Sequence, residues 1–155
     1  MTEVADSTKE GALRALDGMR EVVRREMLTQ GTYVSEEGLN PRLAGAICGG
    51  RRHCAIGSLW VGAGVKHRVV KGAVTLPGVG EEDRPRFLRR HPALKLAYDA
   101  LNRVAQRWTD EHEVDLDGAF HAPIEDLFES QWGYVLTKRD LLRIISNAKR
   151  IVRAA

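Results

Sequence analysis

Residues 91–110 read HPALKLAYDALNRVAQRWTD, and this stretch decides the fold. Pro92 suits the first position of a helix, where its missing N–H costs no hydrogen bond and its fixed φ is already helical. Leu94, Ala97, Leu101, Val104 and Trp108 then recur every three or four residues and form one apolar stripe. Asp99 and Arg103 are spaced to pair one turn apart on the outer side. A striped helix must bury that stripe against other elements, so the flanking sequence is read for its partners.

Two further helices offer themselves. Upstream, Ser7 and Glu10 have the S-x-x-E spacing of a capping box, and Ala12, Leu16, Met19, Val23 and Met27 follow at helical spacing. This predicts a helix over about residues 8–29, stopped by Gly31. Downstream, Thr137-x-x-Asp140 predicts the cap of a last helix with Leu141, Leu142, Ile145, Ala148 and Ile151 or Val152 on its buried side. Between the first helix and Pro92 the signals are weaker. Residues 31–53 are rich in Gly and read as irregular chain with at most a short helix from Pro41. From Cys54 the run CAIGSLWVGAGV reads as a short buried helix with Ile56, Leu59, Trp60 and Ala63 on one face. Gly57, Ser58, Val61 and Gly64 lie on the other, where small residues admit a second helix closely.

Residues 66–90, with Pro77, Gly78, Gly80 and Pro85 as breakers, read as irregular, apart from a short strand or hairpin through Val69, Val70, Ala73, Val74 and Leu76. Pro123 opens a short helix to about Gln131. Four to five helices with little strand make an all-α fold. The chain has 155 residues, 43% hydrophobic and 29% charged. Such a composition excludes a disordered or low-complexity chain and predicts one domain over 1–155, frayed at 1–7 and able to build a core without staples. The longest apolar-rich run, Cys54 to Val65, is broken by small polar and glycine residues, so no membrane association is expected. With no basic segment leading into an apolar one at the N-terminus, a cytoplasmic location is expected, with Cys48 and Cys54 reduced.

Charge is segregated along the chain. The formal net charge is +3, yet residues 49–72 carry +5, 84–107 carry +6 and 137–155 carry +5, against −2 over 1–48, −3 over 73–83 and −8 over 108–136. If the basic blocks meet in space, they form a face for nucleic acid or an acidic protein, with Arg51, Arg52, Arg103 and Arg107 as candidate binding residues. The competing reading is that opposite blocks pair across the surface. No helix-turn-helix spacing, zinc-finger ligand set or RNA-binding aromatic signature accompanies them. Trp60 and Trp108 fall on apolar stripes and read as core. Trp132, followed by Gly133 and Tyr134, reads as an exposed anchor for a partner.

Three segments invite chemistry. In RRHC, Arg51 to Cys54, a thiol at a helix start beside cations would have its thiolate favoured, with His53, His67, His91 or His121 as the base of a Cys54-dependent hydrolase or transferase. The plainer reading is a small hydrophobe packed beside Ile56 and Trp60. Cys48, His53 and Cys54 lack a second ligand pair at zinc-like spacing. Glu113, Asp115, Asp117 and Gly118 fit positions 1, 3, 5 and 6 of a calcium loop, but position 12 is Ile124. A solvated turn is the better reading, and neither metal nor cofactor is expected.

The order of a first helix, LTQGTY at 28–33, HCAIGSL at 53–59 and RWTD at 107–110 resembles a family of small uncharacterised proteins of actinobacteria and their phages. That family carries a C-x-x-G-[AS]-L segment and a later W-N-D. The resemblance touches Cys54, Gly57, Ser58, Leu59, Trp108 and Asp110, and Thr109 departs from the family's Asn. It implies an accessory protein of a high-GC genome or phage that binds a host protein. Nucleic-acid binding through the three basic segments is the alternative, and the balance leans away from an enzyme.

Overall fold

The computed structural model describes residues 3–25, 28–29, 32–33, 55–66, 68–70, 73–75, 84–113, 123–124 and 137–155. Three long helices carry the fold: α1 (Asp6–Arg25), α4 (Pro92–Glu111) and α5 (Lys138–Ala154). Each packs on the other two. A short α2 (Ala55–Gly62) lies on α1, and α3 (Arg84–Arg90) leads into α4. The fold is all-α, with two small antiparallel hairpins beside it. One pairs β1 (Leu28–Thr29) with β2 (Thr32–Tyr33), and the other pairs β3 (Arg68–Val70) with β4 (Ala73–Thr75). Among the described residues no helix is long and apolar enough to cross a membrane.

The stripe on α4 is buried as its spacing predicts: Leu94, Ala97, Leu101, Val104 and Trp108 all enter the core, Leu101 with no exposure. Ala100, Ala105 and Thr109 widen it, because α4 faces both α1 and α5. Thr109 tolerates burial because its hydroxyl donates to the Ala105 carbonyl at 2.8 Å. Asp99 does not pair forward with Arg103; its carboxylate takes Lys95, one turn back, at 2.6 Å. A lysine one turn ahead of an aspartate is also within reach of it, and the pair stays exposed.

The cap of α5 is as predicted. The Thr137 hydroxyl accepts from the Asp140 amide at 3.0 Å, and the Asp140 carboxylate accepts from the Thr137 amide at 3.2 Å. Leu141, Ile144, Ile145, Ala148 and Val152 are buried, while Leu142 and Ile151 are half-buried at the margin. Lys149, on the same helix, reaches Asp17 of α1 at 2.6 Å.

The first helix differs from its prediction at both ends. The Ala5 carbonyl already accepts from the Thr8 and Lys9 amides at 3.0 and 3.1 Å, so the helix begins at Asp6 and encloses Ser7 instead of being capped by it. Asp6 in the first turn offsets the helix dipole. At the far end the helix is described as far as Arg25, Met27 lies outside the described residues, and the helix does not reach 29. Leu28–Thr29 instead pairs with Thr32–Tyr33, residues whose branched and aromatic side chains suit a pleated ladder. The hairpin foreseen within 66–80 is present as β3 and β4, Val69 opposite Val74.

The chain over 84–90 is helical, although Pro85 reads as a breaker in the sequence. Pro85 is the second residue of α3, in the first turn, where an amide needs no intrahelical partner. The breaker is therefore a starter. The end of α2 also departs from its prediction. Gly64 does not face a second helix; it has φ +79 and open space around it. It closes α2 as a left-handed cap, with the Gly64 amide on the Val61 carbonyl at 3.1 Å and the Val65 amide on the Trp60 carbonyl at 3.0 Å. The close approach is made by Gly62: a methyl group there would overlap the backbone of Gly18 and Met19. Of the irregular chain expected over 31–53, Thr32–Tyr33 is the strand β2, and the rest, with the short helix from Pro41, lies outside the described residues, as does most of the short helix from Pro123.

Candidate functional site: a groove with a basic rim

Two glycines of α1 explain how the site is built. Gly11 and Gly18 are two turns apart and so lie on one helical face, about 10 Å from each other along the axis. At Gly18 the end of α2 lies in backbone contact with α1. At Gly11 the first turn of α4 comes so near that a Cβ would sit 2.8 Å from that of Ala93. Two elements are thereby seated on one face of α1 with a gap between them. The gap is a groove of about 990 Å³, floored by Ala15, Val65, Phe87 and Leu94 and lined at its sides by Arg14, Lys66, Arg90 and His91.

Aromatic packing fixes the corner where α3 turns into α4. The indole of Trp60, fully buried, stacks on Phe87 with ring centroids 5.4 Å apart and meets Tyr98 edge-on at 6.2 Å. Phe87 in turn lies 4.5 Å from the His91 ring. The guanidinium of Arg84, itself buried, sits 5.9 Å from the centroid of Tyr98. Offset and edge-on contacts of this kind add about 0.5–1.5 kcal/mol each to the area they bury. The corner therefore presents its outward side chains from a stiff base.

Those side chains are all of one sign. Arg14, Lys66 and Arg90 are exposed, make no ion pair with any described residue, and have no acidic neighbour among the described residues lining the groove. Arg86 and Arg89 extend the basic surface along α3. From Arg84 to Lys95 no acidic residue occurs. The first turn of α4 contains none either, although a carboxylate there would gain about 0.3–1 kcal/mol from the helix dipole. The charge layout at this corner thus forgoes helix stability.

Two of the three basic blocks meet here, contributing Lys66 and Arg90, and Arg14 joins them from the net-acidic N-terminal segment. The third block, on α5, packs against α1 and α4 and contributes no residue to the groove. Arg103 and Arg107 are exposed on α4 but are not part of this site; Arg103 lies about 16 Å along the axis from Pro92. Arg51, Arg52, His53, Cys54 and Trp132 lie outside the described residues, as do Asp115 and Asp117. Glu113, the first candidate calcium ligand, is exposed with φ 50 just past α4. Among the described residues no three His, Cys, Asp or Glu side chains gather as a metal site.

The residues matched to the resembling family are mostly structural where they are described. Ser58 and Leu59 are fully buried in α2, and Trp108 is core, with the His112 ring stacked on it at 4.2 Å. Asp110 is exposed and accepts from the Gln106 amide at 3.1 Å. The sequence did hold a signal for the groove, namely the two-turn spacing of Gly11 and Gly18 and the run Arg89-Arg90-His91-Pro92. No family model, curated protein or solved structure matches the chain.

Proposed function

We propose that this protein is a binding module that docks on an acidic surface of a partner protein through the corner of α3 and α4. The observation that carries the reading is the run of exposed arginines, Arg86, Arg89 and Arg90, on a stiff corner, none of them in an ion pair with another described residue. Charge of one sign concentrated on a rigid surface steers association and selects partners of the opposite sign. The resemblance to actinobacterial and phage proteins supports a host protein as the partner and the cytoplasm as the place of action. A protein is favoured over nucleic acid because the sequence has no helix-turn-helix spacing, zinc-finger ligand set or RNA-binding aromatic signature.

The test is affinity capture from an actinobacterial lysate with the wild-type chain and with the double variant Arg86→Glu/Arg89→Glu, both shown by circular dichroism to be folded. We expect defined proteins on the wild type, at least tenfold less on the variant, and release by salt of about 0.5 M, where the Debye length falls well below 10 Å. Equal capture by the two forms would overturn the reading. A mobility shift of mixed-sequence DNA at micromolar protein that the same reversals abolish would transfer the surface to nucleic acid.

A further inference from the structure

The groove beside this corner has the anatomy of a peptide site, and we infer that it takes an acidic segment of the partner that carries apolar side chains. The inference rests on the protein-binding reading and specifies where and what is bound. Its floor is aliphatic and aromatic, from Ala15, Val65, Phe87 and Leu94, while its cations, Arg14, Lys66 and Arg90, stand exposed at the rim. An apolar centre within a polar rim is how protein surfaces recognise one another.

A small-molecule site differs in the respect that matters here. It closes around its ligand and aims buried polar groups at it. This groove is open, and its charged groups among the described residues, Arg14, Lys66 and Arg90, are solvated. At about 990 Å³ it has room for several side chains of an extended or helical segment. The cations rise from three elements, α1, the exit of α2 and the end of α3, so they surround an occupant instead of meeting one charge. Carboxylates spaced along a segment answer them, and the apolar residues between those carboxylates settle on the floor. The walls need no rearrangement, since backbone contact at Gly18 and Gly62 and close packing at Gly11 and Ala93 hold them apart.

The experiment is fluorescence anisotropy with a short fluorescein-labelled peptide of glutamates bearing a leucine at every third position. Two controls accompany it: the same peptide with serine for leucine, and a single-stranded oligonucleotide of equal charge. The proteins are the full chain, Arg14→Glu/Arg90→Glu, and Ala63→Trp, which obstructs the groove from an exposed position without changing charge. We expect the leucine peptide to bind at least tenfold tighter than either control, and both variants to lose about tenfold. Serine peptide or oligonucleotide binding as tightly as the leucine peptide would overturn the inference, as would undiminished binding by the charge variant. If Ala63→Trp fails to fold, Ala63→Leu takes its place. Absence of peptide binding together with lysate capture that still depends on Arg86 and Arg89 overturns the groove alone. Loss of both overturns the protein-binding reading as well.

Discussion

Gly62 and Gly64 are two residues apart and are needed for different reasons. A methyl group on Gly62 meets the backbone of α1, which has no rotamer to yield, so Gly62→Ala forces α2 off its seat. We expect a loss of about 3 kcal/mol or more in urea unfolding, at the upper end for overpacking. Gly64 has open space but a left-handed backbone, so Gly64→Ala costs only the conformational strain, about 1–2 kcal/mol. Equal effects of the two would mean that the α1–α2 contact is not the close one described. On α4, Leu101→Ala should cost about 2–5 kcal/mol, since Leu101 has no exposure and its loss leaves a cavity. Arg103→Ala and Arg107→Ala, on the exposed side of the same helix, should stay within about 0.5 kcal/mol of wild type. Melts that reverse this order would show the helix faces to be assigned wrongly.

At the scale of elements, capping separates two motifs that look alike in the sequence. Both hydrogen bonds of the Thr137 box form, so Thr137→Ala should destabilise by about 1 kcal/mol. Ser7 stands inside the first turn of α1, so Ser7→Ala should be silent in the same thermal melt. α4 and α5 were legible because a buried face repeats every three or four residues over five or more positions, and a long repeat outweighs local ambiguity. α3 was not, because one proline signals either a break or a first turn, and only the packing of Leu88 and Phe87 decides which. β1 and β2 were hidden by length: two-residue strands contain no period to detect.

At the scale of the molecule, the site is the product of assembly. Its cations come from segments far apart in the chain, and Arg14 belongs to a segment whose net charge is negative, so summing charge by block concealed it. The sequence could show that charge was segregated but not that Arg14, Lys66 and Arg90 share a rim, because the two glycine contacts that bring them together are tertiary. An electrostatically steered partner should therefore associate more slowly as salt rises, while its dissociation rate changes little. Stopped-flow measurement across a salt series would show this, and a salt effect confined to dissociation would place the charges outside the encounter.

The stack of Phe87 on Trp60 has one more consequence. Phe87 forms part of the groove floor, and its other side rests on an indole that water does not reach. Whatever presses on that floor changes the surroundings of a natural chromophore only one ring away. The protein therefore contains its own optical gauge of occupancy, and a shift in Trp60 emission on adding partner, absent in Phe87→Leu, would report docking without any attached label.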